Sequence, residues 1–192
     1  MEETMIDLLK DLGLEGTAYS SATRLLLSGE NKYIRDLRMN VKAVLEVETL
    51  TKKETALLAL AIAVNNNNEL LQKAFEAKAK EQEATAEEIG EAVAVASLLS
   101  ANNVFYRFRH FVNKESYNTM RAGLRMNIMA RPVLGKEFFE LISLAVSAVN
   151  GCEMCVRSHE ASILEAGSSE ARVWDAIRLA SAITSLGKII HD

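Results

Sequence analysis

The chain has 192 residues and a net charge of −4, so it carries no overall positive field for nucleic acid or an anionic membrane surface. Hydrophobic residues make up 49% and aromatics only 6%, so a core must come from Ala, Leu, Ile and Val, a composition that suits close-packed helices. One proline and nine glycines leave too little punctuation for an all-β chain of tight turns.

The opening MEETMIDLLKDLGLEG is acidic and lacks the cationic stretch and apolar run of a secretory signal. Ile6, Leu8, Leu9 and Leu12 within it predict a short first helix, and TAYSSATRLLLS predicts a second. NKYIRDLRMNVKAVLE, residues 31–46, repeats apolar residues at Ile34, Leu37, Val41 and Val44. Thr51 then opens T-K-K-E, a capping-box pattern, before an apolar helix ending near Val64. Its apolar run ALLALAIAV is too short to cross a bilayer, so the expected setting is the cytoplasm, without a membrane or nucleic-acid partner.

A new helix is expected beyond Asn65, and the charged run at 76–88 reads as a solvated helix end. Thr85 and Glu88 repeat the capping-box signal before IGEAVAVASLL. Residues 102–134 read as a connector. Within it FYRFRHF interleaves aromatics with Arg107, Arg109 and His110, as some nucleic-acid surfaces do. Against the negative net charge it reads instead as a packed amphipathic helix or a subunit contact. Met120, Met126 and Met129 suggest gap-filling in a core or interface. The next apolar run, FFELISLAVSAV, should stop at Asn150-Gly151, two residues that tolerate the left-handed conformation.

No segment alternates with period two, so the expectation is a single all-α domain over 1–192, a helical bundle. Laying residue 65 on residue 150 aligns AVN at 63–65 with AVN at 148–150. After a one-residue shift Ile89, Ala92, Ala96 and Ser97 fall on Val173, Ala176, Ala180 and Ser181. The bundle therefore reads as two duplicated helical units, about 51–101 and 136–187. In this register Cys152, Cys155 and His159 meet Asn67, Leu70 and Ala74, so the CxxC site belongs to the second copy alone.

Both cysteines lie in NGCEMCVRSHEASILEAG, residues 150–167. In a reducing compartment a lone CxxC pair points to redox chemistry or metal binding. A helix starting at about Cys152 places Cys152, Cys155 and His159 at i, i+3 and i+7, one stripe. The positive end of that helix stabilises a thiolate, His159 one turn beyond Cys155 can serve as base, and the second thiol can resolve an oxidised first one. Glu140, on the preceding helix, lies at a depth from which it can orient His159. Two other readings stand beside catalysis: buried inert thiols, and a zinc site formed by Cys152, Cys155, His159 and Glu140.

NNVFYRFRHF at 102–111, GLRMNIMARP at 123–132 and FELISLAVSAVNGCEMCVRSHE at 139–160 resemble segments of the alkyl hydroperoxidase D family, within the carboxymuconolactone decarboxylase-like superfamily. The resemblance runs from about residue 50 to the end. It implies an all-helical fold of duplicated units assembled as a homotrimer. It further implies an antioxidant thiol peroxidase that reduces organic hydroperoxides and binds no metal or prosthetic group. A dihydrolipoyl group, free or on a lipoylated protein, would be the reducing co-substrate, and a peroxiredoxin of the alkyl hydroperoxide reductase C type a partner. By the same resemblance Cys155 is the peroxidatic thiol oxidised to a sulfenic acid, Cys152 the proton donor and resolving thiol, and Glu140 and His159 the proton relay. One departure is Met154, where the best-known members carry a histidine that takes part in the relay. A CxxC disulfide reductase with little peroxidase activity, and a non-catalytic zinc-binding or interaction protein, are the alternatives to be tested.

Overall fold

The structure, a computed structural model, describes residues 1–191, and among them there are ten α-helices and no strand. In chain order these are α1 (Glu2–Leu12), α2 (Ser21–Ser28), α3 (Tyr33–Leu45), α4 (Lys52–Asn65), α5 (Glu69–Glu81), α6 (Ala86–Val112), α7 (Glu115–Thr119), α8 (Lys136–Val149), α9 (Glu153–Glu165) and α10 (Glu170–Leu186). A 3-10 turn at Asn127–Ala130 precedes α8.

Two of these helices form the centre. α4 starts at the predicted capping box, in which the Thr51 hydroxyl accepts from the Glu54 amide and the Glu54 carboxylate accepts from the Thr51 amide. Every residue from Thr55 to Ala63 is buried, so α4 has no solvent face. A helix apolar all round must be enclosed, and α5, α6, α8 and α10 all pack against it. α8 is its counterpart, buried without interruption from Phe138 to Ser147. Phe75 and Phe139 are the largest fully buried side chains of a core otherwise rich in Ala and Leu. Each fully buried Leu adds about 1.5–3 kcal/mol. α3 closes one side, packed on α10 and α1.

Helix starts recur at a fixed interval: α8, α9 and α10 begin 84 residues after α4, α5 and α6. The left-handed residues between them keep that interval, Asn67 with Gly151 and Glu83 with Gly167. Under this spacing Cys152 pairs with Asn68, Cys155 with Leu71 and His159 with Phe75, one residue along from the alignment on AVN. The turn residue, not the apolar run before it, sets the phase of the helix that follows.

The expected connector at 102–134 begins too early. α6 continues to Val112 and ends where Asn113 takes a left-handed conformation (φ 46), so FYRFRHF is the last part of a long helix. Phe108 and Phe111 on it are 47% and 73% exposed; the Phe108 ring meets the Tyr117 ring edge-on, 5.2 Å between centroids, and Phe111 stands further out. The connector proper returns through α7 and the 3-10 turn, and the buried Glu91 carboxylate anchors its end by accepting from the amides of Val133 (2.8 Å) and Leu134 (2.6 Å). No described helix is long and apolar enough to cross a membrane.

Arg172, near the start of α10, ties both central helices to the third. Its guanidinium donates to Glu54 of α4, to both carboxylate oxygens of Glu137 of α8 (3.0 Å each) and to the Thr49 carbonyl (2.6 Å). Burial opposes ionisation of Glu54, but hydrogen bonds from Arg172 and Thr51 outweigh it and hold the carboxyl below its ordinary 4.5. A carboxyl with a lowered pKa adds stability above its unfolded value and loses it as pH falls through the folded one. Arg172→Met should therefore cost about 2–3 kcal/mol at neutral pH, between the values for exposed and buried pairs. Urea unfolding as a function of pH checks this: the penalty should shrink below about pH 4.5, and a penalty unchanged on acidification would show that packing, not charge, is what Arg172 supplies.

Candidate active site

α8 stops at Asn150, and Gly151 adopts the left-handed conformation (φ 70) that only glycine takes without a Cβ penalty. The Cys152 amide then donates back to the Ser147 carbonyl at 3.0 Å, and α9 starts at Glu153 with Cys152 at its N-cap. These positions agree with the predicted helix end and start.

A cluster of side-chain amides holds this turn. Asn150 Nδ2 donates to Asn65 Oδ1 (3.0 Å) and Asn103 Oδ1 (2.9 Å), and Asn65 Nδ2 donates to Asn150 Oδ1 (2.9 Å). Asn103 Nδ2 donates to Ser147 Oγ (2.9 Å), and the Arg107 guanidinium donates to the Asn150 carbonyl (2.5 Å). Arg107, conspicuous in the sequence as part of an aromatic and basic run, thus positions the turn. None of these partners was legible beforehand as part of the site, because they come from three helices that meet only in the fold.

Cys152 and Cys155 are joined by a disulfide, with their Cα atoms 5.3 Å apart. Cys152 is 1% exposed and Cys155 7%. Cys155 and His159 of α9 line a cavity of about 300 Å³, together with Asn102 and Tyr106 of α6. Met126 and Met129 of the connector and Met154 complete an apolar wall, whereas Met120 is 59% exposed and lies outside it. A larger groove of about 420 Å³ between α3 and α10, bordered by Tyr33 and Trp174, carries no thiol or histidine.

The predicted contact between Glu140 and His159 is present: His159 Nδ1 lies 2.6 Å from Glu140 Oε2, and both side chains are buried. Lys136, one turn earlier on α8, places Nζ 2.6 Å from the other carboxylate oxygen. Its only sequence signal is the i, i+4 spacing to Glu140, which singles out nothing by itself. Burial opposes ionisation of Glu140, but the hydrogen bonds from His159 and Lys136 and their charges outweigh it and lower its pKa. An ionised carboxylate only accepts, so Nδ1 carries the hydrogen and Nε2 is left as the available ring nitrogen. His159 shares the cavity wall with Cys155 and spends its hydrogen bond on Glu140 rather than on sulfur.

The N-cap residue Cys152 makes no side-chain cap hydrogen bond, so the first amides of α9 lack a side-chain acceptor. At the corresponding start of α5, Asn68 Oδ1 accepts from the Leu71 amide. Cys152, Cys155, His159 and Glu140 do not converge on a point: among the described residues no group of three or more His, Cys, Asp and Glu side chains could hold a metal ion.

The model of the carboxymuconolactone decarboxylase family matches the chain twice, over residues 31–113 and 116–190. The chain is 45% identical over 151 residues to the alkyl hydroperoxide reductase AhpD of Anaeromyxobacter dehalogenans (strain 2CP-C), covering 78% of this chain and 80% of that one. It is 40% identical over 159 residues to the protein of the same name from Rhodopseudomonas palustris (strain BisA53), with 83% and 87% covered. The second family match spans the turn, both cysteines and the helices that carry Glu140 and His159, and on these matches the chain belongs to the alkyl hydroperoxide reductase D family, within the carboxymuconolactone decarboxylase family.

Proposed function

We propose that the protein is an antioxidant thiol peroxidase that reduces organic hydroperoxides through Cys152 and Cys155. The observation that carries this reading is the placement of the Cys155 sulfur and the Glu140-bound His159 on the wall of one apolar cavity. The name borne by the relatives, alkyl hydroperoxide reductase, supports the substrate class. The lower exposure of Cys152 supports Cys155 as the thiol that meets peroxide.

In the proposed cycle the Cys155 thiolate attacks the terminal oxygen of the hydroperoxide. An S–O bond forms as the O–O bond breaks, and the leaving alkoxide takes a proton from the Cys152 thiol or from the His159 relay that Glu140 orients. The Cys152 thiolate then attacks the sulfenic sulfur, the S–O bond breaks, the departing hydroxide takes a proton from solvent and leaves as water, and the disulfide closes. A dihydrolipoyl group restores both thiols by exchange and becomes the cyclic disulfide. That reductant, a partner peroxiredoxin and a homotrimeric assembly rest on the family resemblance. The exposed Phe108 and Phe111 support a subunit contact at the end of α6, and the constant helix spacing together with the two successive family matches supports duplicated units at about 51–101 and 136–187.

Reduced protein quenched after one equivalent of an organic hydroperoxide should lose both thiols within seconds, and Cys155→Ser should abolish that loss. Slow loss beside fast exchange with dihydrolipoamide would make the protein a disulfide reductase instead. Unreactive thiols with stoichiometric zinc would make it a binding protein.

The carboxylate has its own signature. Glu140→Gln should slow disulfide formation about 100-fold at neutral pH, the bottom of the range for general acid–base groups. Lys136→Met removes one of the interactions that lower the Glu140 pKa. The fall of rate on the acid side should therefore move to higher pH in that variant. Single-turnover rates across the acid range check this, and an unmoved limb would remove Glu140 from the relay.

A further inference from the structure

Asn102 stands on the wall of the cavity that holds the chemistry already assigned, and the proposed cycle gives it nothing to do. It lies on α6, is 4% exposed, and lines the same cavity as Cys155 and His159. Its Nδ2 donates to the Met126 sulfur at 3.2 Å, and its Oδ1 is buried without any hydrogen-bond partner. A thioether is a weak acceptor, so both halves of this amide are nearly unspent. Leaving a buried carbonyl unsatisfied is costly, and such groups are few in folded proteins. The neighbouring Asn103 shows the contrast, with its amide nitrogen on Ser147 and its oxygen on Asn150.

Resting on the peroxidase reading above, we propose that Asn102 is the substrate-positioning residue of this cavity, and that its carboxamide grips the terminal O–OH of an organic hydroperoxide. A hydroperoxide offers one O–H donor and oxygen lone pairs, and the amide offers an acceptor and a donor side by side. Oδ1 accepts the hydroperoxide hydrogen while Nδ2–H donates to a peroxide oxygen. The flexible Met126 side chain gives way to free the amide nitrogen for the ligand, its thioether being the weaker partner. The amide is neutral and does not compete for the proton. The hydrogen it holds stays on the terminal oxygen when the Cys155 thiolate attacks, and becomes the sulfenic acid hydrogen as the alkoxide departs. Met126, Met129, Met154 and Tyr106 then face the organic group, which gives the cavity a preference for hydroperoxides with an apolar substituent over hydrogen peroxide.

The test compares the wild-type protein with Asn102→Leu, a nearly isosteric change that removes both polar groups. Fully reduced samples are mixed rapidly with cumene hydroperoxide, with hydrogen peroxide, and separately with 5,5′-dithiobis(2-nitrobenzoate), which reads thiol reactivity without a peroxide. The cumene hydroperoxide rate should fall on the order of tenfold or more. The disulfide-probe rate should stay within about twofold, and the melting temperature should hold or rise because an unsatisfied buried group has gone. Wild-type protein should also react faster with cumene hydroperoxide than with hydrogen peroxide, and lose that preference in part in the variant. Should the leucine form not fold, Asn102→Ala removes the same groups and carries the same expectation for the rates. An unchanged cumene hydroperoxide rate, or equal losses with peroxide and disulfide probe, would overturn the role of Asn102 while leaving the peroxidase reading in place. A wild-type protein inert to both peroxides would overturn that reading and this one with it.

Discussion

The left-handed turn at Gly151 is the constraint on which the site depends. A single residue with positive φ separates α8 from α9, and it sets both the angle at which α9 leaves and the rotation of its first turn. That rotation puts Cys152 at the N-cap, Cys155 on the cavity wall, and His159 against Glu140 at 2.6 Å. A shift of one residue in α9 would turn the stripe by about 100° and separate all three from their partners. The surrounding amides of Asn65, Asn103 and Asn150 hold this turn from outside the CxxC segment, which frees the cysteines from any duty in shaping it.

Two charge clusters meet on α8, and they serve different ends. Glu137 faces Arg172 and joins the central helices to α10, while Glu140, three residues on, faces His159 and the cavity. The first cluster matches one guanidinium with two carboxylates and is a matter of stability. The second matches one carboxylate with a histidine and a lysine, so the carboxylate is over-supplied with donors and remains ionised although buried. The same helix thereby carries a structural anchor on one side and an orienting group on the other, and a rigid core holds both.

Much of this was legible in the sequence, for physical reasons that differ by region. Capping boxes at Thr51 and Thr85 and the Asn150-Gly151 stop are local chemistry, so they located helix ends closely. Glu140 and His159 could be paired because two helices joined by a tight turn leave few ways to meet. The amide cluster was hidden: Asn65, Asn103 and Ser147 sit on three helices, and nothing in a polar residue's identity tells which distant partner it will find. Lys136 and Asn102 were hidden for a related reason, since each acquires meaning only from burial of the group beside it. At the end of α6 the sequence allowed either a packed helix or a subunit contact, because aromatics at helical spacing suit both; the segment is helical, with Phe108 and Phe111 exposed.

Asn68 and Cys152 occupy matching helix starts, and the difference between them says something about how the fold distributes local disagreement. At position 68 the side chain satisfies the helix amides, and propensity, capping and topology agree. At position 152 they conflict, since a cysteine forgoes a cap hydrogen bond that would be worth about 1 kcal/mol. In landscape terms the first turn is minimally frustrated and the second carries a local conflict at Cys152, close to the unsatisfied carbonyl of Asn102 in the same cavity region. Native chains confine such conflicts to places where selection acted on something besides stability, so the mismatch is a marker of reactivity that can be read from the backbone before any thiol chemistry is considered.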